Sequence, residues 1–376
     1  MDGPTCRICF GEEQPGDKNL ALISPCHCEG SQKFIHVACL RKWQRTVQLG
    51  GSNHPDERDT EDRHCVCNVC KGTFDVPPQD RAEMMSDLAG VTPGRVAPAM
   101  LLVSKRCSES SASGIDNLAI RAFIEAKAAH FRRAVYMLTE ISPGASDGSD
   151  VVLGVNLCRT LEAPNVEGLH CEDVTGDMLQ QLRQEGVDVL WMNGGPVKPR
   201  HVCAVTVLRT QRAVSALSTS SGCRALIRGD DDGQVVYGTL ASVLTLAQEE
   251  SDALSETVTV LAWAGYAQWS RTQLLGEMAR GSWGWCDGTL EDIKESASGT
   301  GHGLWEHLRH HSERLSWAPS NELSRDFEQR FPPQRQAEDA QGEVVTALVQ
   351  QFETMRRDSA TDRASWRRPR SGCGQQ

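Results

Sequence analysis

The sequence predicts three successive parts: a small cysteine-rich module, a mixed α/β domain and a largely disordered polar tail. Three observations support this division. Eight of the fifteen cysteines are crowded between Cys6 and Cys70. From Met100 onwards, short apolar runs alternate with amphipathic stretches, as expected for the strands and helices of a mixed domain. From about Pro319 the chain becomes polar and charged, a composition that buries too little apolar surface to fold.

The length of the chain allows more than one domain. Its 376 residues are enough for two ordinary domains and their linkers, each domain with a core of its own. The cysteine-rich module is predicted over 1–77, ending at the first of two consecutive prolines. Residues 78–97 are polar and contain Gly and Pro, which predicts a linker. The α/β domain is predicted over 98–317 and the tail over 318–376.

Apolar periodicity places the elements of the second domain. Short apolar runs predict strands, and apolar residues at helical spacing predict helices. The predicted strands lie at 100–103, 134–138, 151–157, 187–192, 202–208 and 257–263. The predicted helices lie at 117–131, 177–184, 240–250 and 271–280. The tail has one amphipathic stretch, 343–357, which predicts a single helix there.

Composition argues against two classes of main activity. The chain has 39 Lys and Arg against 50 Asp and Glu, a formal net charge of -11, which argues against binding to nucleic acid or to an anionic membrane. No stretch approaches the roughly 18 apolar residues that indicate a transmembrane segment. Because a pattern of paired cysteines already begins at Cys6, no room is left for a cleavable leader. We therefore expect a soluble protein of the cytosol or the nucleus.

The crowded cysteines have the spacing of metal ligands. Four pairs follow one another along the chain: Cys6-x2-Cys9, Cys26-x-Cys28, His36-x2-Cys39 and Cys67-x2-Cys70. Two residues between thiolates allow both sulfurs to bind one tetrahedral ion at about 2.3 Å. Without a secretory signal, metal binding is favoured over a disulfide scaffold. Eight such ligands predict two structural Zn²⁺ ions in closed sites, with no open position for hydrolysis.

The order and spacing of these ligands resemble the RING-CH family, also called RINGv. Seven residues separate Cys28 from His36, a Gly-Ser pair follows the Cys-x-Cys pair, and Trp43 follows the His-x2-Cys pair as in that family. A PHD finger, which would make this protein a histone reader, has the same ligand order. Its middle pairs are usually spaced differently, however, and its Trp sits just before the last cysteine pair, where this chain has Cys65.

The RING-CH resemblance implies a cross-brace, in which alternate ligand pairs bind the same ion. The first ion would be held by Cys6, Cys9, His36 and Cys39. The second would be held by Cys26, Cys28, Cys67 and Cys70. His64 and Cys65 lie close enough to compete as ligands, but only Cys67 keeps the family's two-residue gap to Cys70.

The same resemblance implies a ubiquitin ligase. RING modules have no catalytic nucleophile; they bind a ubiquitin-conjugating enzyme and hold its thioester-linked ubiquitin ready for attack by a lysine of a protein substrate. Catalysis of this kind is positioning. By analogy, Ile8 and Trp43 would form the exposed apolar platform for the conjugating enzyme. The alternative is that both side chains belong to the small core around the zinc ions.

One position departs from many active RING modules. They have an arginine just after the last ligand, which contacts ubiquitin, whereas this chain has Lys71. Lysine carries a point charge without the bidentate fork of arginine, so the predicted ubiquitin contact is weak. A noncatalytic zinc-binding adaptor is therefore the alternative function.

Three segments of the second domain resemble the AlgH/YqgE family, whose biochemistry is unassigned. Residues 194–197 match its Gly-Gly-Pro-Val turn, and 265–283 match its most distinctive run. Phe131 and the strand at 151–157 fit the start of its domain, although a proline usual there is missing. For the helix at 271–280, packing on the sheet is favoured over lining a ligand groove. No nucleophile with a base is visible, so this domain is predicted to recognise the substrate or a partner.

Overall fold

The computed structural model describes residues 3–50, 62–92, 94–105, 131–144, 150–162, 164, 168–170, 174–218, 220, 222–229, 233–298, 303–311 and 313–325. Several predictions fall elsewhere. The predicted tail helix at 343–357, the predicted disorder beyond Arg325 and all of the predicted helix at 117–131 except Phe131 lie outside the described residues.

The N-terminal module has little regular structure and a small core. Strand β1 (Leu22–Ile23) pairs antiparallel with β2 (Ile35–His36), which leads directly into helix α1 (Val37–Gly50). Among its described residues, the buried apolar side chains other than cysteines are Ile35, Leu40 and Phe74. A core of this size needs further cross-links to hold a fold.

The second domain is built on a nine-stranded sheet. Its strands are β3 (Met100–Ser104), β4 (Val135–Ser142), β5 (Val151–Asn156), β6 (Val187–Asn193), β7 (Val197–Leu208), β8 (Cys223–Arg228), β9 (Gln234–Thr239), β10 (Val258–Ser270) and β11 (Trp283–Asp287). The order across the sheet is β11-β3-β4-β5-β10-β7-β9-β8, and β6 also pairs with β10. The pairing of β6 with β10 is parallel, and the other pairs are antiparallel. The mixed α/β fold is therefore confirmed.

Strand β10 joins the two halves of this sheet. Its first part pairs with β6 and β7, and its last residues, from Ala267 onwards, pair with β5. Between these parts Gly265 has a φ of 76°, a conformation that favours glycine, and the register with β7 shifts. Gly194 packs against this bend so closely that a Cβ atom on it would lie 2.0 Å from the carbonyl oxygen of Gly265. The bend therefore requires glycine at both positions.

Seven described helices surround the sheet. They are α2 (Arg81–Ala89), α3 (Gly176–Gln184), α4 (Gln211–Leu217), α5 (Leu240–Leu254), α6 (Arg271–Ala279), α7 (Leu290–Ala297) and α8 (Gly303–His311). Each of α2 to α7 begins after an Asp, Ser or Thr whose side chain accepts a hydrogen bond from a backbone N–H of the first turn. Short polar caps in the sequence therefore determine where these helices begin.

The predicted strands are all present, but the prediction is incomplete. The six predicted strands correspond to β3, β4, β5, β6, β7 and β10, and three of the predicted helices correspond to α3, α5 and α6. Strands β8, β9 and β11 are absent from the prediction. Strand β8 is an edge strand with no fully buried residue, and β11 has a glycine between two tryptophans, so neither has a strong apolar pattern.

The segment 78–97, predicted to be a linker, contains helix α2. Its Met84, Met85 and Leu88 are buried in the core that α2 shares with α6. The first residues of the predicted tail also pack on the domain, since Asn321 Nδ2 donates to the carbonyl oxygens of Leu88, at 2.9 Å, and Ala279, at 2.7 Å. Both segments are flanked by proline and polar residues, so their composition did not predict that they pack on the domain.

Candidate metal centre

The first ligand cluster consists of Cys6, Cys9, His36 and Cys39, whose ligand atoms all lie within 4.8 Å of one another. His36 Nδ1 lies 3.3 Å from Cys9 Sγ and 3.9 Å from Cys39 Sγ. Around a tetrahedral Zn²⁺, a Zn–S bond of about 2.3 Å and a Zn–N bond of about 2.0 Å place sulfur and nitrogen about 3.5 Å apart. The observed distances bracket this value, so the cluster fits zinc.

The other ring nitrogen of His36 has a separate partner. Nε2 lies 3.1 Å from the backbone carbonyl oxygen of Glu12, an acceptor, so that Nε2 carries the proton and donates it. Nδ1 is then left without a proton and faces the sulfurs. A hydrogen bond of this kind fixes the tautomer and the orientation of a metal-binding imidazole.

The second cluster consists of Cys26, Cys28, Cys67 and Cys70, again with all ligand atoms within 4.8 Å of one another. Cys28 Sγ and Cys67 Sγ are 3.7 Å apart. Tetrahedral geometry with a Zn–S bond of about 2.3 Å requires about 3.8 Å. The predicted cross-brace is thus confirmed by the ligands that the fold brings together, and Cys65 belongs to neither cluster.

Two loops of the same design carry the Cys-x2-Cys pairs that begin at Cys6 and at Cys67. We call residues 5–12 the first metal loop and residues 66–73 the second metal loop. In each, the N–H of the first cysteine donates to the carbonyl oxygen of the glycine five residues later, at 2.9 Å. The residue before that glycine, Phe10 or Lys71, has a φ of 60°. This geometry turns the chain tightly around a metal position.

The backbone of these loops also favours thiolates at their first cysteines. Burial opposes the ionisation of Cys6 and Cys67, but hydrogen bonds from backbone N–H groups outweigh it and lower the pKa of each thiol to about 6. Burial and the neighbouring cysteines raise the pKa of Cys28 and of Cys39 to about 12. Metal binding therefore displaces protons from the latter two thiols and is weakened by acid.

The metal loops carry exposed apolar side chains. Among the residues that the structure describes, the exposed large apolar side chains are Ile8 at 42%, Phe10 at 78% and Val69 at 54%. The prediction for Ile8 included its exposure, but Phe10 and Val69 were not singled out. The shared spacing of the two loops could have indicated Val69, because it occupies the place of Ile8 in the second loop.

The other two predicted contact residues lie in different surroundings. Trp43, on α1, is half-buried, and its ring packs edge-on against Phe74 with 5.6 Å between ring centroids. Lys71 is exposed, and its left-handed backbone conformation places it at the tip of the second metal loop. Trp43 therefore combines core packing with partial exposure, which fits both of the roles considered for it.

Comparison with known proteins assigns two parts of the chain to families. Residues 6–72 match the model of the RING-variant domain. Residues 122–313, just over half of the chain, match the model of a family described as AlgH-like. The chain belongs to the AlgH-like family. Its N-terminal module is a RING-variant domain, as the RING-CH resemblance implies, and the two ligand clusters fit the two zinc sites of such a domain.

Two curated relatives are similar to the N-terminal region of the chain. E3 ubiquitin-protein ligase MARCHF8 of Xenopus tropicalis is 39% identical over 69 residues, which are 18% of this chain and 19% of that protein. Probable E3 ubiquitin ligase SUD1 of Arabidopsis thaliana is 38% identical over 73 residues, which are 19% of this chain and 5% of that protein. The match thus spans less than a fifth of the length of either relative.

Two solved structures are similar to the AlgH-like part of the chain. Protein DIP2367 of Corynebacterium diphtheriae covers 60% of this chain and 93% of its own, with a TM-score of 0.35 and 17% identity. The AlgH protein of Pseudomonas aeruginosa covers 57% of this chain and 93% of its own, with a TM-score of 0.30 and 17% identity.

An aromatic cluster fills the AlgH-like core around the 265–283 run. Trp269 and Trp283 are both 3% exposed and pack edge-on against each other and against Tyr136. Both indole N–H groups donate to Oε2 of Glu277, at 3.2 and 2.7 Å. The prediction that helix α6 packs on the sheet is therefore confirmed, since this run builds the core between them.

Membrane insertion through a helix finds no support in the described part of the chain. No helix there has both the length and the apolar character that crossing a bilayer requires.

Proposed function

We propose that this protein is a RING-type ubiquitin ligase whose RING-variant domain binds a ubiquitin-conjugating enzyme charged with ubiquitin. The observation that carries the proposal is the exposure of Ile8 between Cys6 and Cys9, two ligands of a metal site that four protein side chains close. Closed sites provide no Lewis acid for hydrolysis, so the domain acts by binding and orienting its partner. The relatives that match this domain are named as E3 ubiquitin ligases.

The apolar platform of the proposal is formed by Ile8 and Trp43. Exposed apolar side chains that lie together often mark a site of protein–protein contact, and tryptophan is a frequent anchor of such interfaces. Val69 extends the same apolar character to the second metal loop. A conjugating enzyme with an apolar contact loop would therefore cover side chains from both loops and from α1.

The test is a ubiquitination reaction with the full chain and a panel of conjugating enzymes. Replacing Ile8→Ala and Trp43→Ala together should reduce ubiquitin transfer at least about tenfold, because truncation of an interface anchor costs about 1–2 kcal/mol or more. Zinc content measured by native mass spectrometry must stay at two ions per chain. Leu20→Ala removes as many carbon atoms as Ile8→Ala, but outside both metal loops, and should leave transfer unchanged.

The reaction also separates the ligase from the alternative adaptor. Lys71 is the observation that favours the adaptor, because a lysine offers ubiquitin a point charge where arginine would offer a fork. The ligase proposal fails if the zinc-loaded wild-type chain does not transfer ubiquitin with any conjugating enzyme of the panel. A noncatalytic zinc-binding adaptor would then replace it. We further propose that the protein acts in the cytosol or the nucleus.

The AlgH-like domain is proposed to recruit the protein substrate. It is a separately packed α/β unit with its own core, joined to the RING-variant domain through α2 and the Arg45–Glu322 ion pair, whose atoms are 2.9 Å apart. A substrate bound to this domain would be held on the same chain as the conjugating enzyme, which raises the effective concentration of its lysines.

Disruption of the AlgH-like domain within the full chain tests this role. Mass spectrometry of ubiquitinated lysines identifies the proteins that the wild-type chain modifies in a cell extract. The Gly194→Ala substitution is expected to distort the sheet, so this variant should no longer modify those proteins. Ubiquitination of the chain itself should persist, since the RING-variant domain is intact. Gly176→Ala, where a Cβ meets nothing within 4 Å, is the matched control. If the unfolding midpoint of the Gly194→Ala chain is lowered but its set of modified proteins is unchanged, recruitment by this domain is ruled out.

A further inference from the structure

Arg7 lies in the first metal loop but its guanidinium contacts the second metal site. Nη1 donates toward Cys28 Sγ, at 3.4 Å, and Cys26 Sγ, at 3.8 Å. Nη2 donates toward Cys67 Sγ, at 3.6 Å. One side chain from the loop that holds the first ion thus contacts three of the four sulfurs that hold the second.

The backbone and the side chain of Arg7 are both fixed in this position. Its N–H donates to the carbonyl oxygen of Phe34 at 2.9 Å, and Nη1 donates to the carbonyl oxygen of Gln32 at 3.0 Å. Arg7 is half-buried. Hydrogen bonds from its backbone N–H and from its guanidinium therefore act together with packing to hold the side chain against the sulfurs. Only arginine offers several N–H donors in one planar group that reaches three acceptors at once.

The two metal sites differ in formal charge. With zinc bound, four thiolates leave two negative charges at the second site, whereas three thiolates and a neutral imidazole leave one at the first. A positive group beside the second site therefore offsets half of its excess charge. Its N–H donors also stabilise the thiolate form of each sulfur that they contact.

We propose that Arg7 is a positioning residue of the four-thiolate zinc site, which it supports from the first metal loop by charge compensation and N–H···S hydrogen bonds. The two metal sites are then coupled. The first metal loop must be folded to deliver the guanidinium, so the second site attains its full affinity for zinc only when the first site is formed, and zinc at the second site favours the folded first loop in return. This inference concerns the metal sites and stands independently of the ligase activity.

The test measures zinc release from each site of the full chain. Native mass spectrometry counts bound zinc during a challenge with EDTA, and alkylation followed by peptide mapping shows which cysteines become reactive. R7Q should release one zinc ion about tenfold faster or more, in line with the effect of removing an outer-shell partner of a ligand. Alkylation should then appear at Cys26, Cys28, Cys67 and Cys70. Cys6, Cys9 and Cys39 should stay protected.

Two further variants make the result specific. R7K keeps the charge but not the fork, so it should release the same ion with a smaller acceleration. R41Q, at an exposed arginine of α1, should behave as wild type. If R7Q binds no zinc at all, the proposal is tested with R7K alone. R7K must then release the zinc ion of the second site before that of the first. Unchanged release in R7Q, or release that is accelerated equally at both sites or mainly at the first, would overturn the proposal.

Discussion

Removal of zinc is expected to unfold the RING-variant domain while the AlgH-like domain stays folded. The N-terminal core has few buried apolar residues besides its cysteines, principally Ile35, Leu40 and Phe74. Structural zinc contributes about 10–16 kcal/mol to the folding of small zinc domains, far more than such a core supplies. Hydrogen exchange followed by mass spectrometry should show amides of residues 3–77 exchanging fast after EDTA treatment, with those of the AlgH-like sheet still protected.

Single-site variants separate the metal from other causes. Cys67→Ser should lower the zinc content to one ion or none and expose the same amides, because it removes one of the four ligands of the second metal site. Cys65→Ser is the matched control, since it removes a neighbouring thiol that belongs to neither cluster, and it should keep two ions. Protected amides throughout residues 3–77 in the metal-free chain would contradict this account.

Gly194→Ala is expected to destabilise the AlgH-like domain by about 3 kcal/mol or more. The added Cβ would lie 2.0 Å from the carbonyl oxygen of Gly265, so one of two backbone segments must move. Both segments are held by hydrogen bonds: Gly194 N–H donates to the carbonyl oxygen of Ala264 at 3.0 Å, and Asn156 N–H donates to that of Gly194 at 3.0 Å. The overlap therefore disturbs the junction of three strands.

Denaturant unfolding followed by tryptophan fluorescence measures this loss. Trp263, fully buried beside the bend, donates its indole N–H to the carbonyl oxygen of Asn156 at 2.8 Å, so its emission reports on the same junction. Gly176→Ala, in the first turn of α3, should cost no stability because the added Cβ meets open space. Equal midpoints for the two variants would show that the sheet absorbs the overlap at little cost.

The metal sites could be predicted almost completely from the sequence. Metal ligands are specified by residue type and short spacing, and four correctly spaced pairs leave few alternatives. Their distribution between two ions followed from the family resemblance, and the fold brings the same sets together. Cys65 remained ambiguous in sequence because it is only two residues from Cys67, and the geometry of the second metal loop removes that ambiguity.

The AlgH-like sheet was predicted less completely. Strands such as β3 and β5 carry apolar runs that identify them without knowledge of their partners. Edge strand β8 acquires its conformation by pairing with β9, which was not predicted either. The short strand β11 acquires its conformation by pairing with β3, which is distant in sequence. The bend of β10 at Gly265 was likewise hidden, because its need for glycine arises from the approach of Gly194.

The sequence by itself determined the ligands of two zinc ions, the RING-CH order of those ligands and the mixed α/β character of the second domain. These properties depend on residue types at short spacing, which local chemistry specifies. Only the tertiary structure decided that α2 packs into the AlgH-like core and that Arg7 contacts the sulfurs of the opposite site. Each of these depends on contacts between distant segments, which only the folded chain brings within a few ångströms.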